Sequence, residues 1–188
     1  SAQTYSVSWE KDESPWPSPD EGVELKTMSV EDGAPEQAVT DGEQCLAVTF
    51  ERAEGGQVNL LRVSKPSHGA WFQALKSSDA EQLSVDVFLP AEATAGAERG
   101  DWANFTMRLI TSGPNGKTTP RASQNLQLGQ DNRFTLTLPF KKDGWDPKTW
   151  FAQLTLSVNG KWNAQSKKPD LSPVYLDNFR VGPLPEEE

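Results

Sequence analysis

Val174-Tyr175-Leu176-Asp177-Asn178-Phe179-Arg180-Val181, near the end of the chain, carries two β patterns that disagree by one residue. Strict alternation would put Val174 and Leu176 on the face of Asn178 and Arg180, yet Phe179 and Val181 are their natural core partners. One extra residue at Asp177-Asn178, a β-bulge, resolves the conflict, because it returns Phe179 and Val181 to the core face and turns the carboxylate sideways. The segment therefore predicts a core strand with a bulge and an acid that needs partners.

Working outward, ten short strands are predicted, over residues 4–10, 23–30, 45–51, 57–63, 82–89, 102–111, 124–128, 133–139, 151–158 and 173–182. Alternation is clearest in Leu83-Val85-Val87-Leu89 and in Phe134-Leu136-Leu138, whose faces belong to a core. Leu46, Val48 and Phe50 share one face and Cys45 takes the other. Trp9 beside Val7, and Trp150 in phase with Leu154, Leu156 and Val158, are predicted core residues. Turn chemistry separates the strands, with Asn159-Gly160 as the strongest hairpin signal. Asp146-Pro147-Lys148 suits a single helical turn with Asp as its cap, and no longer helix is expected.

Fourteen Gly and fourteen Pro punctuate the 188 residues, and the apolar fraction of 35% suits one all-β domain with short strands. The expected organisation is a single two-sheet antiparallel β-sandwich over residues 1–182. The Pro- and Glu-rich segment 183–188 then starts a linker within a multidomain protein. Segments 11–22, 91–101 and 161–172 are expected to be long loops.

The net charge of −9 disfavours nucleic acid as a partner, and no apolar run reaches the length of a membrane span. Cys45 is the only cysteine and His68 the only histidine. A strand-filling thiol and a surface-loop imidazole are the plain readings of these two. No nucleophile elbow, zinc-binding helix or phosphate-binding glycine loop is present. A lyase base would have to come from Tyr5, Tyr175 or His68, and paired-carboxylate hydrolysis stays open, because spacing in three dimensions is invisible here.

Seven tryptophans are the feature that points to binding. In Trp102-Ala103-Asn104-Phe105-Thr106-Met107-Arg108-Leu109, alternation gives Phe105, Met107 and Leu109 to the core. Trp102, Asn104, Thr106 and Arg108 then face outward together. An indole beside an amide, a hydroxyl and a guanidinium suits a sugar, whose C–H face stacks on the ring while its hydroxyls take hydrogen bonds. Gln153 heads a polar row with Thr155 and Ser157 on a neighbouring strand. Trp71 and Trp162, in predicted turns or loops, are candidate cleft flanks, as is Trp16.

Four features together resemble the β-jelly-roll carbohydrate-binding modules appended to glycoside hydrolases and polysaccharide lyases. They are Trp9-Glu10 opening the domain, the strand start Gly42-Glu43-Gln44-Cys45-Leu46-Ala47-Val48, the Trp-x-Asn-Phe strand at Trp102, and the terminal Val-Tyr-Leu-Asp-Asn-Phe-Arg-Val. The resemblance spans nearly the whole chain and implies a jelly roll. It further implies a non-catalytic, monomeric module that binds a polysaccharide and targets an attached enzyme outside the cell or in the periplasm. Such modules often hold a structural Ca²⁺ where the termini meet. The resemblance places Glu10 and Asp177 as side-chain ligands, with carbonyls around Gln44 and Asp41 completing an oxygen shell. Glu43 departs from the small or basic residue usual there. Asp177 could instead accept backbone N–H groups and close the sandwich unaided. A jelly-roll lyase or hydrolase, or an adhesive sandwich of a surface protein, is the alternative function.

Overall fold

The structure, a computed structural model, describes residues 5–11, 18–19, 21–51, 57–64, 69–141, 145–163 and 169–183, of which 18–19 and 61–64 by backbone alone. Its strands are β1 (Tyr5–Val7), β2 (Ser18–Pro19), β3 (Val23–Ser29), β4 (Gln44–Phe50), β5 (Gln57–Ser64), β6 (Gln82–Leu89), β7 (Trp102–Gly113), β8 (Gly116–Thr118), β9 (Arg121–Asn125), β10 (Asn132–Pro139), β11 (Phe151–Lys161) and β12 (Val174–Gly182). They form two antiparallel sheets. The first runs β10-β6-β12-β4-β3 with β1 also on β12, and the second runs β2-β5-β11-β7-β8 with β9 also on β7.

The predicted alternation builds the core. Leu83, Val85, Val87 and Leu89 of the first sheet and Phe105, Met107, Leu109, Leu154, Leu156 and Val158 of the second belong to one buried cluster. These residues put a continuous apolar face on each sheet, so two sheets packed face to face are the way to remove both faces from water.

The bulge in β12 is present. Asp177 lies opposite Asp86 and Arg180 opposite Ser84, so two residues of β12 span one of β6, and Asn178 takes φ +48°. Val174, Leu176, Phe179 and Val181 are all fully buried. The bulge falls where β12 changes partner: β4 pairs with residues 174–176 and β1 with residues 179–181. A second bulge, which the sequence did not announce, leaves Leu60 unpaired between Asn59 and Leu61 of β5 as they pair with Ser157 and Leu156. Leu60 turns into the core, and Gln57 and Asn59 come opposite the outward residues Asn159 and Ser157.

Several expectations are corrected. A helix, α1 (Gly69–Leu75), stands where only a turn was expected, and it buries Trp71, Phe72, Ala74 and Leu75 in the core. Those four apolar positions lie on one side of a two-turn helix, a period that the preceding turn sequence masked. Asn159-Gly160 is not a hairpin: β11 continues to Lys161, with Asn159 opposite Asn104 and Gly160 opposite Ala103. Trp150 is 57% exposed, since it precedes the first rung of β11 and parity holds only within the paired strand. The strand expected at 124–128 is β9, three residues earlier, and the short strands β2 and β8 were not foreseen. Asp146 does cap a single turn, accepting the Lys148 amide at 2.8 Å.

Cys45 is buried on the outer face of the first sheet, as alternation requires, but that face is covered. A 3-10 turn at Glu36–Ala38 closes over Cys45, Ala47, Phe88 and Tyr175 as a second apolar cluster. Within the 91–101 loop, a 3-10 turn at Ala91–Thr94 buries Ala93 and Thr94. Most of the 11–22 loop (with Trp16), His68, residues 164–168 and the linker from 184 onward lie outside the described residues. Among the described residues no helix is long and apolar enough to cross a membrane.

Candidate functional site

The outer face of the second sheet carries a groove of about 220 Å³. Among the described residues its lining comes from four strands, and every lining residue is polar. β7 supplies Asn104, Thr106 and Arg108, β11 supplies Thr155, Ser157 and Asn159, β5 supplies Gln57 and Asn59, and β9 supplies Arg121 and Ser123. Register explains the convergence, because residues directly opposite in an antiparallel pair share a face. Asn104, Thr106 and Arg108 lie opposite Asn159, Ser157 and Thr155 on one side and Asn125, Ser123 and Arg121 on the other. Thr155 and Ser157 are buried floor residues, and Thr106 and Ser123 share a hydroxyl hydrogen bond of 2.8 Å.

Three of the predicted residues, Asn104, Thr106 and Arg108, therefore line one groove. Trp102 starts the same row and is 43% exposed. It is held at the strand end by pairing with Lys161, and the adjacent Asp101 accepts the Asn163 amide at 2.7 Å. Gln153 extends the β11 row two residues beyond Thr155 and does not line the groove.

Trp71 and Trp162 are not groove residues. Trp71 is fully buried, because α1 drives it into the core, so it offers no surface to a ligand. Trp162 is half-buried and packs against the core. A β-carbon on Gly160 would lie 2.4 Å from its Cζ2, so the glycine is what gives the ring its place. The contribution of β5 and β9 was missed. The β5 part depended on the Leu60 bulge, and the β9 part on a strand with no apolar alternation.

A larger concavity of about 890 Å³ lies along β3, β4 and the start of β5, and it carries Glu21, Glu24 and Glu51. It contains none of the predicted binding row. No Tyr or His lines the groove or this concavity among the described residues. Tyr5 pairs with Val181 and Tyr175 packs near Phe88 with ring centroids 6.2 Å apart.

At the seam where β12 passes from β4 to β1, the four residues expected around calcium come together on the loop 40–44. Asp177 Oδ2 accepts the amides of Thr40 and Asp41 at 2.8 and 3.0 Å, and its Oδ1 accepts that of Asn178 at 2.8 Å. Glu10 Oε1 accepts the amides of Glu43 and Gln44 at 2.8 and 3.1 Å. Asp41 takes the Ser8 hydroxyl at 2.6 Å. The two carboxylates thus do for β12, β1 and β4 what strand pairing cannot do across a bulge.

Asp177 is fully buried, and burial pushes its carboxyl up to about 7 against the opposing pull of the amides, with Asp41 adding to the rise. The same surroundings push the Cys45 thiol up to about 12, through burial first and then the charges of Asp177 and Glu10. Negative charge is in excess here and every side-chain donor but the thiol is oxygen, which suits a hard cation such as Ca²⁺. Among the described residues no three Asp, Glu, His or Cys side chains form a cage by themselves, so loop carbonyls would have to complete a shell.

The sequence matches no known family description and no curated protein. The two-sheet β-sandwich is nonetheless a fold found among solved structures. The CBM22-2 xylan-binding domain of Xyn10C from Paenibacillus barcinonensis superposes with a TM-score of 0.50 at 10% identity, over 96% of this chain and 99% of that one. A structure described as a promiscuous carbohydrate-binding module of the β-sandwich superfamily gives a TM-score of 0.44 at 14% identity, over 84% of this chain. The chain spans about half of that longer structure, 53%. A Stig cyclase from Fischerella sp. gives 0.41 at 14% identity, over 95% and 93% of the two chains.

Proposed function

We propose that this chain is a non-catalytic carbohydrate-binding module that holds an extended polysaccharide along the groove of the second sheet. The observation that carries the reading is the groove itself. Side chains from four adjacent strands present amides, hydroxyls and guanidinium groups to one open trough, and the exposed Trp102 begins the same row. Trp102 and Arg108 are six residues apart on one strand, ~20 Å, so a ligand touching both spans several saccharide units. Amide and hydroxyl side chains in fixed register can hydrogen-bond sugar hydroxyls, and the indole supplies the stacking surface.

On this reading the domain is a monomeric module of a secreted or cell-surface protein, it neither inserts in membranes nor binds nucleic acid, and residues 183–188 lead toward an attached carbohydrate-active enzyme. The ion at the strand seam is a structural Ca²⁺, held by Glu10 and Asp177 with help from the Asp41–Gln44 loop. It would supply only stability, by binding the folded state alone. Supporting this is the buried, charge-excess carboxylate of Asp177.

The test is a binding screen of the domain against soluble and insoluble glycans, with Trp102→Ala and Asn104→Ala as variants. Binding at least about tenfold weaker in each variant, with unchanged thermal stability, is expected. Undiminished binding in both variants would remove the groove, and no binding to any glycan would remove the function. For the ion, a thermal midpoint unmoved by EDTA would refute the calcium assignment.

A further inference from the structure

The groove's charge does not match that of the chain around it. Acids outnumber bases 27 to 18 overall, yet among the described residues the groove lining contains two arginines and no carboxylate. The register of β7 and β9 sets Arg108 directly opposite Arg121, and both are exposed. Like charges directly opposite on a sheet destabilise it, so a fold indifferent to ligand gains nothing from the pair. Among the described residues neither guanidinium has an ion-pair or hydrogen-bond partner, whereas Arg180 is paired with Asp86 at 3.3 Å. A neighbouring acid could have neutralised the pair at any of the flanking positions, but Thr106, Ser123 and Thr155 occupy them.

We infer that the groove selects acidic polysaccharides, the adjacent guanidinium groups of Arg108 and Arg121 receiving a carboxylate or sulfate carried by the glycan chain. The inference rests on the glycan-binding reading above and names its ligand class. Planar guanidinium groups match the geometry of both anions through paired N–H donors, which a neutral hydroxyl cannot exploit equally. The neutral donors and acceptors at Asn104, Asn59 and Ser157 then take the hydroxyls of neighbouring units, and Trp102 stacks a ring farther along. The anion sits at the opposite end of the row from the indole, so an acidic substituent need not interfere with stacking.

The experiment measures affinity of the whole chain, with EDTA absent, for a polyuronate, a sulfated galactan, neutral xylan and duplex DNA, at low and high NaCl. The parent is compared with the double variant Arg108→Gln/Arg121→Gln and with Arg108→Lys/Arg121→Lys. Expected are tighter binding of at least one acidic glycan than of xylan, weakening by salt, and a loss of at least about tenfold in the Gln variant with partial recovery in the Lys variant. The polyuronate and galactan arms distinguish carboxylate from sulfate. Equal binding of xylan, unaltered by the Gln variant, would overturn the acidic preference and leave glycan binding standing. No binding to any glycan would overturn both. DNA bound as tightly as the acidic glycans would also overturn it, by showing a charge patch without sugar recognition. Both arginines are exposed, so circular dichroism of the variants should be unchanged.

Discussion

Asp177→Ala tests what holds the sandwich shut where β12 changes partners. The variant removes an acceptor serving three amides, those of Thr40, Asp41 and Asn178. A lost hydrogen bond with a charged acceptor costs ~1.5–3 kcal/mol when the orphaned donor stays dry. Thr40 and Asp41 themselves lie on an exposed loop, so water replaces the acceptor in part and the lower end applies. Relief of a buried charge offsets some of the loss, and the space left by a fully buried side chain adds to it. The expected cost is roughly 3 kcal/mol, a large fraction of a domain's total stability. Urea unfolding in EDTA, followed by tryptophan fluorescence, reads it directly. Asp177→Asn, which keeps one oxygen acceptor, should lose about half as much. A cost below ~1 kcal/mol for the alanine variant would refute the idea that this carboxylate closes the seam.

Titration of the same residue has a definite sign. Burial raises the Asp177 carboxyl from 3.8 to about 7 in the folded protein. Between those two values the folded chain keeps a proton that the unfolded chain has lost, so in EDTA this group's contribution is full below about 4 and declines as pH rises to about 7. Asp177→Asn should flatten that slope in urea melts across the same window, and an unchanged slope would exclude Asp177 as its source. Gly42→Ala should destabilise by roughly 2–3 kcal/mol, since φ is +68° and the new carbon would lie 2.0 Å from Glu10 Oε1, expelling the carboxylate from two amides. Urea midpoints check this, and Glu10→Ala combined with Gly42→Ala should be less than additive. Gly160→Ala should cost ~1–3 kcal/mol by pushing the Trp162 ring off Gly160, with a red-shifted emission maximum as the independent sign. Cys45, buried with its thiol pushed up to about 12, should resist alkylation at pH 8 in the native protein and react fully in denaturant.

Within β12, the conflict between Leu176 and Phe179 could be read from residue types because a period-two pattern with one fault admits one repair. The same logic placed Phe105, Met107 and Leu109 inside and Asn104, Thr106 and Arg108 outside. Trp71 failed because a short helix after a glycine turn looks like turn sequence until its apolar side meets a core. Trp150 failed because alternation has no meaning one residue outside a paired strand. Trp162 could not be judged, since its place depends on Gly160 being opposite Ala103 rather than in a hairpin.

Local chemistry along single strands was thus decided before folding: an all-β chain, the β12 bulge, an outward row beginning at Trp102, and a carboxylate at each of two ends needing partners. Folding decided which rows became neighbours. The Leu60 bulge brought Gln57 and Asn59 beside Ser157, β9 brought Arg121 beside Arg108, and the 40–44 loop came to lie between Glu10 and Asp177. Hydrophobic alternation is a property of consecutive residues and survives in the sequence, whereas a groove or a charge pair depends on inter-strand register, which is set by hydrogen bonds between residues far apart in the chain.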